Sequence, residues 1–170
     1  MNDMSVYNLL RPDMKTGDLI EWHGNSVLDR MIRLRTGEDV NHSSLVVTLE
    51  SPYCGHRVLL FEALSDGIDI TFASQRLSIA DGQAYYYKIR EEFIPLIPSI
   101  EETAFSYVGV PYDYISILKQ LIGHTHIEKN RIFCSEFVEI THGGQEGDDA
   151  YVPGELPNKM QHWHERNQLI

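Results

Sequence analysis

The sequence predicts an α+β protein in which an antiparallel sheet is laid down first and helices follow it. Three observations carry that expectation. β-rich runs crowd the first half of the chain, helical spacing dominates the second half, and the change falls at the proline-bearing "PLIPSI" near residue 97.

Each element has a local warrant. "MKTGDLIEWHG" (14–24) reads as a turn at Gly17-Asp18 followed by a strand from Leu19 to Trp22. In "NSVLDRMIRLRTG" (25–37), Val27, Leu28, Met31, Ile32 and Leu34 recur at helical spacing. Asn25 or Ser26 caps the start and Gly37 stops it. "SSLVVTLE" (43–50) and "RVLLFEAL" (57–64) are strand-like. The turn-forming "SPYCGH" between them predicts an antiparallel pair. "SDGIDITFAS" adds a turn and an extended piece with Ile68 and Ile70 on one face, and "QAYYYKIR" (83–90) is the last clear strand. Ser99 and Glu102 in "SIEETAFSYVG" (99–109) form a capping-box pattern opening a helix. "YDYISILKQLIG" (112–123) and "CSEFVEITHGG" (134–144) are further helices, and the tail holds a turn and a last helix.

The chain of 170 residues suits one domain, 1–170, with a sizeable core. Its 42% apolar content rules out wholesale disorder, and a net charge of -11 argues against nucleic acid or an anionic membrane as the main partner. "MNDMSVYNLL" carries acid and polar groups where a secretory leader needs a basic stretch and an apolar core. No later segment is long enough to span a bilayer. The expectation is a soluble, cytoplasmic protein, with export by a leaderless route left open. Two cysteines, Cys54 and Cys134, are too few for a disulfide scaffold, so free thiols are expected.

Cys134 is the sharpest chemical feature. It opens "CSEFVEI", where a first-turn thiol feels free backbone N–H groups and the positive helix end, both of which favour thiolate. The competing reading is a cysteine buried in the apolar stripe with Phe137, Val138 and Thr141. His42, in "NHSSLVV", precedes a core strand and either bonds a backbone carbonyl or acts in chemistry. Glu62 shares a strand face with Leu60, opposite Phe61, and a carboxylate there is costly unless paired. If 43–49 and 57–63 pair, His42 and Glu62 fall near one end of the sheet. The three side chains then make a nucleophile, a base and the group that orients the base.

"GDLIEW", "NHSSLVV", "LLFEAL", "GVPYDY" and "FCSEFV", in that order, resemble the circularly permuted branch of the NlpC/P60 papain-like superfamily, especially its YiiX-like members. The resemblance runs from about Gly17 to Val138. It places the family's strand-opening histidine on His42, its strand glutamate on Glu62 and its cysteine on Cys134. It implies a papain-like core in which the cysteine-bearing helix packs on an antiparallel sheet. It also implies Tyr112 as oxyanion or cleft support, the competing reading being a core tyrosine.

Around these residues, Asp113 reads as a helix cap, Ser135 as a locally bonded hydroxyl and Glu136 as a structural acceptor. Trp22 and His23, ending the first strand, are candidates for the wall of a substrate cleft. His124 and His126, with Cys134 or with Cys54 and His56, have metal-like spacing. They lack the paired Cys-x-x-Cys of a strong zinc site, so no metal and no cofactor are expected. The function expected is a cysteine peptidase or amidase working through a thioester. The resemblance implies small peptides, cell-wall peptides or acyl lipids as substrates. A lipid acyltransferase or thiol esterase is the first alternative, and a non-catalytic binding module the second.

Overall fold

The strands 42–51 and 55–64 fold into the expected hairpin, and the rest of the sheet grows from it. The computed structural model describes residues 2–64, 67–109, 134–144 and 151–170. Within them, β1 (Leu19–Gly24), β2 (His42–Ser51), β3 (Gly55–Leu64), β4 (Gly67–Phe72), β5 (Gly82–Tyr87) and β6 (Asn167–Gln168) form an antiparallel sheet of order β4-β3-β2-β1-β5-β6. The helices are α1 (Ser5–Leu10), α2 (Val27–Thr36), α3 (Ala73–Ile79), α4 (Ile97–Ser106), α5 (Cys134–Thr141) and α6 (Leu156–Met160). This is the α+β architecture expected.

Strand alternation divides the core in two. Leu19, Leu45, Val47, Phe61 and Ile68 face α4 and α5, packing with Ile100, Ala104, Cys134, Phe137 and Val138. Ile20, Trp22, Val46, Leu60 and Ala84 face the other way, onto Tyr7 of α1 and Ala73 and Leu77 of α3. Burying both sheet faces removes apolar area from water at roughly 25 cal/mol per Å².

Turn chemistry sets where β1 begins. Gly17 has φ +91°, and a side chain there would meet Ile89 Cδ1 at 2.7 Å, so glycine is required twice over. Asp18 is fully buried. It accepts from the Lys15 backbone N–H (2.8 Å), the Tyr86 hydroxyl (2.6 Å) and the Ile89 backbone N–H (2.8 Å), which ties β1 to β5. Burial outweighs these bonds and pushes its carboxyl up to about 6. The Gly-Asp pair is therefore a structural anchor.

Several boundaries differ from the sequence expectation. β1 continues past Trp22 to Gly24. Helix α4 starts at Ile97, because Pro98 sits in its first turn; Ser99 is already helical and its hydroxyl donates to the Leu96 carbonyl, so the Ser99–Glu102 capping box does not form. β5 is followed in the sheet by the two-residue β6, so 83–90 is not the last strand. The expected cap of α2 is present: Ser26 and Asp29 make a reciprocal capping box and Gly37 closes the helix at φ +77°. The expected helix 112–123 lies outside the described residues, as do Tyr112, Asp113, His124 and His126.

Candidate active site

His42 opens β2 opposite Trp22, and Ser44 stands opposite Glu62 in the β2–β3 register. Alternation therefore points His42, Ser44, Trp22 and Glu62 toward one face, with Glu62 diagonal to His42. The register delivers a bond: His42 Nε2 lies 3.0 Å from Glu62 Oε1.

Glu62 is saturated with partners. The Ser44 hydroxyl donates to Oε1 (2.9 Å), while Thr71 Oγ1 and Arg76 Nε each lie 3.3 Å from Oε2. Arg76 also rests on the Trp22 ring, 4.5 Å from its centroid, and Trp22 Nε1 donates to the Ser44 hydroxyl at 2.6 Å. Trp22 thus packs against the network that holds the carboxylate. Burial alone would raise Glu62; the His42 hydrogen bond and charge, with Arg76 and Ser44, overcome it and hold the carboxyl near 2.

Cys134 is the first residue of α5, on the opposite side of the sheet among Leu45, Phe61 and Phe137. The sulfur lies close enough to His42, at the start of β2, for each group to act strongly on the charge of the other. With Nε2 engaged by Glu62, Nδ1 is the ring nitrogen left for sulfur. The Ser43 and Ser135 backbone N–H groups act in the same direction, favouring the thiolate. Burial would raise the thiol, but the adjacent imidazolium and these donors lower it below the ordinary cysteine value. Reciprocally, burial would lower His42, whereas the thiolate and Glu62 raise it to about 10. Each group therefore favours the charged form of the other.

The structure thus brings Cys134, His42 and Glu62 into one line. Trp22 and His23 both line a cleft of about 340 Å³ that reaches His42, with Asn41, Arg76 and the α2 residues Leu28 and Ile32 on its walls. Ser135 and Glu136 are buried in the first turn of α5. Both cysteines are free, and Cys54 is exposed in the β2–β3 turn.

Two contributors were missed from sequence. Arg76 is the cationic partner of Glu62, and Asn41, the residue before His42, ties the end of β1 to α2. The Asn41 side chain accepts from the Gly24 N–H (2.8 Å) and from Arg33 (3.1 Å), and donates to Asp29 (2.8 Å). An asparagine directly ahead of the strand-opening histidine was the available signal.

No protein-family model and no curated protein matches the chain. Its fold is similar to that of YiiX from Escherichia coli O157:H7, described as a metalloprotein, with a TM-score of 0.57 and 22% identity over 76% of this chain and 64% of that one. The chain therefore spans less than two thirds of that neighbour's length, and the likeness is one of fold. Among the described residues no group of three His, Cys, Asp or Glu side chains is placed to hold a metal ion.

Proposed function

We propose that the protein is a cysteine hydrolase of permuted papain-like type that cleaves an amide bond through a thioester acyl-enzyme. The observation that carries this reading is the Cys134–His42–Glu62 line, assembled from α5, β2 and β3. The chain order of histidine, then glutamate, then cysteine supports the permuted arrangement.

The chemistry follows from the protonation states. The Cys134 thiolate attacks the carbonyl carbon, and the carbonyl electron pair moves onto oxygen. First-turn N–H groups of α5 are the donors available to that oxyanion. As the tetrahedral intermediate collapses, the C–N bond breaks and His42 gives its Nδ1 proton to the departing amine. Water, deprotonated by His42, then attacks the thioester, releasing the acid and returning the sulfur to its resting state. Glu62 holds the ring orientation and stabilises the imidazolium throughout.

The apolar wall of the cleft, with Leu28, Ile32, Ala63 and Leu64, favours one second reading on the same machinery, a thiol esterase or acyltransferase taking an acyl chain. Peptide, ester and acyl-lipid activity probes, with the labelled residue identified by mass, separate the two. Labelling at Cys134 is expected to fall by about 10³-fold or more in Cys134→Ala and His42→Ala. Labelling that persists in both variants sinks the mechanism.

A further inference from the structure

Helix α2 turns an apolar stripe to solvent. Its inner side is anchored by polar bonds, with Leu28 and Ile32 half-buried beside them: Asp29 bonds Asn41 (2.8 Å) and closes the cap with Ser26, and Arg33 donates to the Gly24 carbonyl and to Asn41. Its outer side is apolar. Val27, Met31 and Leu34, at i, i+4 and i+7, are 77%, 44% and 87% exposed. At 100° per residue, Arg30 and Arg35 flank this stripe roughly 40° beyond each edge. Both are exposed, and neither has an ion-pair partner among the described residues. The fold gains nothing from valine, methionine and leucine carried outward beyond Leu28 and Ile32, so the stripe calls for an external partner.

We propose that α2 is a docking helix that lays Val27, Met31 and Leu34 into the surface of an anionic lipid bilayer. An apolar stripe between two cations is the pattern that seats a short helix at the headgroup boundary, with arginines reaching phosphates. Charge decides against a second copy of this chain. Pairing the stripe with itself would bring the arginines of two helices together, along with two bodies each of net charge -11. The same net charge does not forbid the bilayer. Beyond a Debye length of about 8 Å the rest of the molecule is screened, and α2 presents its own cations first. The placement also fits the cleft. Leu28 and Ile32 of the same helix line it, and Ile79, just before the lining residues Ala80 and Asp81, is 73% exposed. Docking would set the cleft mouth at the membrane surface whether or not Cys134 turns over a substrate.

Flotation of the full chain with phosphatidylcholine vesicles, with and without phosphatidylglycerol, tests this. Binding is expected only with phosphatidylglycerol, and salt weakens it. Leu34→Asp lowers the bound fraction about tenfold or more, and Arg30→Glu with Arg35→Glu does likewise. Leu9→Asp on α1, itself 74% exposed, leaves binding unchanged. Thermal unfolding is expected to be the same in all of them, because none of these side chains anchors α2. The proposal is overturned if neither vesicle is bound, if Leu34→Asp binds like the unaltered chain, or if light scattering instead shows a dimer that Leu34→Asp dissolves.

Discussion

Glu62 and Glu21 are both fully buried carboxylates on neighbouring parts of one sheet, and they are driven in opposite directions. Glu62 has a cation or a hydroxyl against each oxygen and is held near 2. Glu21 points to the other face; its Oε1 accepts from the Gly154 N–H (2.9 Å) and Ser43 Oγ (3.4 Å), while Oε2 has no well-formed hydrogen bond among the described residues. There burial wins over the few donors and lifts the carboxyl to about 7. Equal depth gives opposite shifts, so depth does not decide the direction; the charges placed beside the group do. One carboxylate is kept ionised to steady an imidazolium, and the other is poised to gain or lose a proton near neutrality.

The largest effect should come from stripping the ionised carboxylate from its partners. Glu62→Ala leaves His42 and Arg76 without their shared anion, and is expected to cost about 3–5 kcal/mol in denaturant unfolding. It should also raise the pH at which Cys134 is half alkylated by iodoacetamide. An unchanged midpoint would show that Glu62 does not reach the sulfur through His42.

Glu21→Gln inverts the test. A carboxyl raised from 4.5 to about 7 contributes stability below its unfolded value and loses it as pH climbs through the folded one. The variant should match the parent at pH 4.5 and exceed it above pH 8 by on the order of 3 kcal/mol. Glu62, lowered from 4.5 to about 2, behaves oppositely: its contribution is complete above 4.5 and fades as acid approaches 2. Acid unfolding of Glu21→Gln therefore keeps the parent's low-pH limb. Loss of that limb would mean Glu21, not Glu62, governs acid stability.

The smallest effect belongs to α2, away from both carboxylates. Ser26→Ala removes one half of the capping box and should cost about 1 kcal/mol without moving the Cys134 alkylation midpoint. A shifted midpoint would tie the cleft rim to the sulfur.

The contrast also explains what could be read in advance. The His42–Glu62 bond was legible because a short turn between two β-rich runs leaves one register, and alternation then puts both side chains on one face. Cys134 was legible from a helical stripe and its neighbouring motif. Arg76 was not, because α3 follows β4 at once and its N-cap, Phe72, makes no capping bond. α1 was hidden for the same reason at Met4. Glu21 looked like an ordinary strand acid; its fate depends on Gly154, far away in the chain, which no local pattern reports. The strand β6 is two residues long, below any periodic signal. Local chemistry predicted what local chemistry controls, and the counter-charges came from tertiary packing.

The Gly17 carbonyl accepts from Trp163 Nε1 at 2.8 Å and lies 3.0 Å from His142 Nε2, directly after α5. The turn before β1 thus clasps the far end of the helix whose near end bears Cys134, the proposed nucleophile. Eight residues make a rod about 12 Å long, so a tilt of roughly 5° at this clasp swings the sulfur by about 1 Å. Misplacement on that scale can cost about a hundredfold in rate. A methyl group added at Gly17, with no chemistry of its own, would press on that pivot and detune the proposed reaction at the other end of the lever.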